Sequence, residues 1–206
     1  MLKNNLRLQF GMTLVEMLVS VALIIIVMGG AAGFVIGLYR AYYYTFEQSQ
    51  AVNEALIGVE TMTKEIREAV SGNDGSYIIE KADDFEFIFY SDIDGDSLVE
   101  RVRYFLDGSN FTKEVIRPVG MPLHYITNPS DPSYLKSTTF LSTHVRNLPP
   151  IFRYFDGNLQ ELPSPARLKD TKIMRVNLVV NIQPDRLPGD FVLESEVQLR
   201  NLKTNL

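Results

Sequence analysis

From Met17 to Tyr39 the chain carries no charged residue. A helix over that stretch would rise about 35 Å at ~1.5 Å per residue. That is enough to cross a hydrocarbon core of about 30 Å. The full block, MTLVEMLVSVALIIIVMGGAAGFVIGLY from Met12, holds one charge, Glu16, close to its start. Much of the chain's 46% hydrophobic content lies here, and the residues beyond it read as an ordinary soluble domain.

Ahead of the block stands a short polar segment, MLKNNLRLQFG, with Lys3 and Arg7. A secretory signal peptide has a basic region, a short apolar run and a small-residue cleavage site after that run. Here the run is too long and no small-x-small site ends it. The cut point that stands out, Gly11, precedes the run, so a cut there would leave the apolar helix on the mature protein. Lys3 and Arg7 place the N-terminus in the cytoplasm by the positive-inside rule, with the bulk of the chain outside the cytoplasmic membrane.

Gly11, Met12, Thr13, Leu14, Val15 and Glu16, followed by the apolar run, resemble the class III leader of type IV pilins and pseudopilins. The resemblance implies a membrane-embedded prepilin peptidase that cuts between Gly11 and Met12 and N-methylates Met12. The family usually has phenylalanine where this chain has Met12. A carboxylate such as Glu16 costs on the order of 2.5–3.5 kcal/mol at a bilayer centre and less near an interface, so it calls for a partner. By resemblance that partner is the N-terminal amine of a neighbouring subunit. The cut would create this amine on Met12, about 6 Å along the helix. The plainer alternative is a glutamate that snorkels to the membrane surface. Gly29, Gly30, Gly33 and Gly37 lie in the same helix. Their small-xxx-small spacing allows close helix approach in a membrane, yet each costs about 1 kcal/mol of helix propensity. Packing and melting both remain open readings.

Tyr39, Tyr42, Tyr43, Tyr44 and Phe46 follow the run, as suits a membrane–water interface. Val52, Leu56, Val59, Met62, Ile66 and Ala69 or Val70 then recur at steps of three and four, which predicts an amphipathic helix. Glu47, Glu54, Glu60, Lys64, Glu65, Arg67 and Glu68 take its other faces, and Ser71–Gly75 ends it. The remainder alternates in the manner of strands. Phe85–Tyr90 pairs with Leu98–Leu106 across Ser91–Ser97, and Phe111–Arg117 adds a third strand. Residues 118–139 read as a long surface loop. Ile151–Phe155, Met174–Ile182 and Phe191–Leu199 give further strands, with Asp156-Gly157-Asn158 and Pro184–Gly189 as turns.

The expected architecture is α+β, a long N-terminal transmembrane-plus-amphipathic helix packed on an antiparallel β-sheet head. By resemblance this is the pilin fold. The expected segments are a leader at 1–11, a transmembrane and assembly helix at 12–39, an amphipathic helix at 40–71 and a β-rich extracytoplasmic head at 72–206. Asp92–Tyr104 (DIDGDSLVERVRY), Phe152–Gly157 (FRYFDG) and Gln198–Leu202 (QLRNL) resemble the pseudopilin J and PilW-like minor pilin group. That resemblance implies a subunit that initiates or caps a type IV pilus or a type II secretion pseudopilus. The subunit would sit singly spanning the bacterial cytoplasmic (inner) membrane before passing into the filament. Implied partners are other minor and major pilins or pseudopilins, the prepilin peptidase and the assembly-platform membrane protein. The alternatives are a competence (DNA-uptake) pseudopilin and an uncleaved signal-anchored module that binds something outside the membrane.

Asp92, Asp94 and Asp96 stand at alternate positions and invite a calcium loop. An EF-hand wants glycine directly after the third of them and glutamate as its twelfth residue. Ser97 and Arg103 stand there instead, so the EF-hand reading fails; a looser calcium site at Asp92, Asp94 and Asp96 stays open as the weaker reading, and a hairpin turn is preferred. The chain has no cysteine, and its two histidines, His124 and His144, lie apart and read as loop or surface residues. Neither a nucleophile–base set nor a metal cluster is visible, so no enzyme activity and no cofactor are expected. Glu80, Asp83, Asp84 and Glu86 read as a solvated edge. With a net charge of −5 and no basic stripe, direct nucleic-acid binding is not expected.

Overall fold

The computed structural model describes residues 11–148, 150–166, 168–185 and 189–199. Lys3 and Arg7, the centre of the expected Pro184–Gly189 turn and the end of the Gln198–Leu202 motif lie outside the described residues. The chain divides into two compact units, Met1–Phe46 and Glu47–Leu206. Helix α1, Leu14–Arg67, begins in the first and ends in the second.

In the first unit α1 is a bare apolar helix. Leu18, Ile25, Ile26, Val27, Met28 and Phe34 are all exposed. The helix is long and apolar enough to cross a membrane, and none of its most apolar stretch is buried. Gly29, Gly30, Gly33 and Gly37 have no described atom within 4 Å of where a Cβ would stand. Packing within the chain therefore gives no reason for these glycines.

Among the described residues the second unit has nine strands: β1 Ile79–Ala82, β2 Glu86–Ser91, β3 Glu100–Asp107, β4 Asn110–Ile116, β5 Lys136–Ser142, β6 Phe152–Phe155, β7 Glu161–Leu162, β8 Ile173–Val180 and β9 Phe191–Gln198. They form a five-stranded meander, β1-β2-β3-β4-β5, and a four-stranded sheet ordered β7-β6-β8-β9. All neighbouring strands run antiparallel. Alternation brings Phe87, Phe89, Val102 and Tyr104 to one face of the first sheet, and the register pairs Phe87 with Tyr104 and Phe89 with Val102. Met174, Val176, Leu178 and Val180 do the same on β8. The two inner faces meet through rings: Phe87 lies 6.1 Å from Phe152 and 5.9 Å from Tyr154, and Phe111 lies 6.3 Å from Phe152.

Residues 47–67 of α1 complete this core, so the fold is a helix packed on antiparallel sheets, as the sequence predicts. The buried stripe is Ala51, Ala55, Val59, Met62 and Ile66. Its second half matches the predicted one. In its first half Leu56 is exposed and Val52 half-buried, and two alanines take the inner positions. Small residues let the helix approach closely: a Cβ on Gly58 would stand 2.9 Å from Leu141 Cβ, next to β5's end. Glu65, expected on the outer face, is turned inward, where Tyr104 Oη donates to its Oε2 at 2.6 Å and Lys113 pairs with its Oε1. Gln48 reaches both sides of β8's end, donating to the Val180 carbonyl at 3.3 Å and accepting from the Ile182 amide at 3.0 Å.

The helix stops at Arg67, ahead of the expected 71, because β2 captures the backbone beyond it. The Val70 amide donates to the Tyr90 carbonyl, and Ser91 Oγ donates to the Glu65 carbonyl at 3.1 Å. Three strands depart from expectation. β1 and β7 are short edge strands of the two sheets. β5 rises inside the expected loop 118–139, with its first five residues exposed, so it shows no inward–outward alternation.

Candidate functional segment and acidic loop

The first candidate is the segment ahead of α1. Gly11, Met12 and Thr13 are exposed and precede the helix, so the Gly11–Met12 bond lies outside helical backbone. No described atom lies within 4 Å of a Cβ built on Gly11. The fold itself gives no reason for a glycine there. Thr13 and Glu16 then form a capping box. The Thr13 carbonyl accepts the first helical bond from the Met17 amide at 3.1 Å. Thr13 Oγ1 accepts from the Glu16 amide at 3.3 Å, while Glu16 Oε2 accepts from the Thr13 amide at 2.9 Å and from Thr13 Oγ1 at 3.0 Å. Reciprocal bonds of this kind satisfy amides that have no partner within the helix and define where it begins. Glu16 is thus hydrogen-bonded within the single chain. Thr13 was missed in the sequence, although a Thr-x-x-Glu ahead of an apolar run is the signal for it.

Past the apolar run Tyr39, Tyr42, Tyr43 and Phe46 are exposed and Tyr44 is buried. Tyr42 stacks on Phe46 at 6.4 Å and meets Tyr43 edge-on at 6.1 Å. An exposed aromatic group at the end of an apolar helix is what a membrane–water interface accommodates.

The second candidate is the turn between β2 and β3. It is a tight, self-bonded loop. Asp92 accepts from the Gly95 amide at 2.7 Å and the Ser97 amide at 3.1 Å, and Asp96 accepts from the Leu98 amide at 2.8 Å. Gly95 and Ser97 both have positive φ, 76° and 71°. A turn is therefore present, as expected. The structure also brings Asp92 and Asp94 together with Glu100, one carboxylate oxygen of each lying within 4.8 Å of the others, and Asp96 is not in that trio. Glu100, the first residue of β3, is fully buried. Its Oε2 accepts from the Ile93 amide at 3.1 Å, and its Oε1 has no hydrogen-bond partner. Arg117 pairs with Asp94 Oδ2, and its Nε stands 4.0 Å from Glu100 Oε1. Burial pushes the Glu100 carboxyl up, as do the charges of Asp94 and Asp96, against the bond from Ile93. Glu100 was missed in the sequence because it lies beyond the alternating aspartates, in a stretch that reads as strand.

The acidic group Glu80, Asp83, Asp84 and Glu86 is not simply a solvated edge. Arg101 grips Glu80 with two bonds of 2.6 Å, and Tyr90 Oη donates to the same carboxylate at 2.7 Å. Lys81 pairs with Asp83 at 2.8 Å and with Glu86, which also pairs with Arg103. These contacts are diagonal to the register: Arg103 stands opposite Ile88 and reaches Glu86 two residues along β2, while Arg101 stands opposite Tyr90 and reaches past β2 to Glu80 on β1.

A family model described as the prokaryotic N-terminal methylation motif matches residues 6–32. No curated protein matches the chain. The matched span takes in residues 6–11, ahead of the Gly11–Met12 bond, and most of the apolar run. It supports a prepilin-like class III leader and a protein of the type IV pilin or pseudopilin kind, anchored in a membrane by that run. Motif and α+β fold together point to a structural rather than a catalytic role, alongside pilins and the prepilin peptidase in general.

Proposed function

We propose that this chain is a minor pilin or minor pseudopilin, similar to the J/PilW-like group, that initiates or caps a type IV pilus or a type II secretion pseudopilus. The observation that carries the reading is the Gly11–Met12 bond, free of the helix and directly ahead of a capped, exposed apolar helix inside the methylation motif. The precursor sits in the cytoplasmic membrane with residues 1–11 on the cytoplasmic side and the β-rich head outside. Prepilin peptidase cuts after Gly11 and methylates the new amine on Met12. The amine then lies one residue from Thr13, beside the cap. In the filament Glu16 pairs with the Met12 amine of a neighbour, and the capping bonds from Thr13 hold its carboxylate at the helix start until that partner arrives. The exposed glycine face at Gly29, Gly33 and Gly37 lets neighbouring helices approach closely. Partners are other minor pilins, the major subunit and the assembly-platform membrane protein.

Mass spectrometry of the mature N-terminus tests the processing: the expected species begins with N-methylated Met12, and an intact Met1 in cells that contain the peptidase refutes it. Glu16→Ala is expected to leave cleavage in place and abolish incorporation into filaments. Normal incorporation would refute the pairing.

A further inference from the structure

The loop from Asp92 to Glu100 carries four carboxylates and no basic residue. Carboxylates in turns are common, and the aspartates alone are accounted for by the bonds they make to the turn's own amides. Glu100 is not. Its side chain is 1% exposed, and its Oε1 is buried without a hydrogen-bond partner. A buried carboxylate oxygen in that state is costly, and native folds supply it with a donor or a cation. Arg117, the cationic group paired with it among the described residues, cannot serve fully, since its Nη2 is engaged by Asp94 and its Nε is 4.0 Å away.

We propose that Asp92, Asp94 and Glu100 bind one calcium ion at the β2–β3 turn, with the orphaned Glu100 oxygen as its innermost ligand. The geometry supports this in two ways. Calcium–oxygen distances of about 2.3–2.6 Å place opposite ligands about 4.6–5.2 Å apart. The three carboxylate oxygens lie within 4.8 Å of one another, which fits one shared ion. The register also fits. Calcium loops take ligands from their first, third, fifth, seventh and ninth residues, the seventh through its carbonyl, with a sharp turn at the sixth. Counted from Asp92, the first, third and ninth residues are Asp92, Asp94 and Glu100, and the sixth is Ser97. Glycine is wanted there for its left-handed backbone, and Ser97 adopts that backbone at φ 71°. Glu100 replaces the missing twelfth-residue glutamate as the anchor from the strand. Arg103, at that twelfth position, is occupied with Glu86 and Glu114 on the sheet.

An all-oxygen donor set on a flexible turn favours calcium over zinc, which takes nitrogen and sulfur, and over magnesium, which holds its waters. Arg117, more than half exposed, has room to leave Asp94. With one buried anchor and no bidentate twelfth residue, the affinity belongs to the weak class, about 10⁻⁴–10⁻³ M. The ion would fasten more than a turn. The Val99 amide donates to Asn73 Oδ1 at 2.7 Å, and Tyr125 Oη donates to the Val99 carbonyl at 2.7 Å while accepting from the Asn73 amide at 3.0 Å. Three loops therefore meet next to Glu100.

The test is thermal unfolding of the full chain in detergent, in chelator, about 10 mM calcium or about 10 mM magnesium. Calcium is expected to raise the midpoint by about 3–11 °C, with magnesium giving less than half of that. Glu100→Gln should abolish the rise while its midpoint in chelator stays at or above that of the unsubstituted chain, because it removes a buried charge. Asp94→Asn, at a turn position whose side chain is 35% exposed and where folding is not at stake, should cut the rise by half or more. An absent calcium response, an equal magnesium response, or an undiminished rise in Asp94→Asn overturns the site.

Discussion

Replacing Lys113 with methionine would remove the cation that balances Glu65, the acidic residue by which α1 is locked to the sheet. Glu65 lies on the helix, Tyr104 on β3 and Lys113 on β4, and the Glu65 and Lys113 side chains are 11% and 12% exposed. Breaking a buried pair by removing one partner costs about 3–5 kcal/mol, because the other charge is left uncompensated. The residual exposure puts this pair at the lower end, about 3 kcal/mol. Tyr104→Phe removes the 2.6 Å bond but leaves Lys113 in place, and should cost about 1.5–2 kcal/mol. Burial and the neighbouring Glu65 hold the Tyr104 phenol far above its usual range, so it remains a donor at any pH of interest. For a chain of 206 residues each kcal/mol moves the midpoint by about 2–4 °C. Lys113→Met should then lower it by about 6–12 °C. The assay is thermal unfolding of the full chain in detergent, followed by the near-ultraviolet circular dichroism of its ten tyrosines, with no tryptophan to overlap them. Adding Glu65→Gln to Lys113→Met should recover more than half of the loss, since a neutral amide still accepts from Tyr104. A shift under about 2 °C for Lys113→Met, or no recovery in the double variant, would show that the pair does not hold the helix.

Two further outcomes are expected. Gly58→Ala should be destabilising by a few degrees although alanine is the better helix former by about 1 kcal/mol, because the new methyl would stand 2.9 Å from Leu141 Cβ; an unchanged or raised midpoint in the same assay would refute the close approach. Burial pushes the Glu80 carboxyl up, but the bonds from Arg101 and Tyr90 outweigh it and hold it below its usual 4.5. A carboxylate lowered on folding contributes stability above its unfolded value and loses it as pH falls through the folded one. The midpoints of the unsubstituted chain and Arg101→Met should therefore differ at pH 7 and converge as pH falls below about 4.5, and a constant gap across that range would refute the pairing.

Much of this fold is legible in the residues because burial leaves a period. Phe87, Phe89, Val102 and Tyr104 alternate, as do Met174, Val176, Leu178 and Val180, and such strands announce both themselves and their inner face. The charge-free run from Met17 announces a membrane helix by length alone. β5 left no such trace, since five of its seven residues are exposed and only its pairing with β4 makes it a strand. Ala51 and Ala55 were overlooked for a related reason: a hydrophobic pattern weights bulk, and the helix is inward there because its residues are small. The capping box at Thr13 and Glu16 was written in the sequence and is found by its spacing. Glu65 and Glu100 were not legible, because what buries a carboxylate is a partner from another strand or an atom that no spacing displays.

The residues alone determined the membrane helix and the α+β class, since these rest on local quantities: run length and period. Tertiary structure decided which polar groups are buried. Tyr104 and Lys113 reach Glu65 from strands far along the chain, and β3 brings the buried Glu100 together with Asp92 and Asp94 of the turn. The cost of a buried charge depends on what surrounds it in space, and that is set only when the sheets and helix have closed on one core.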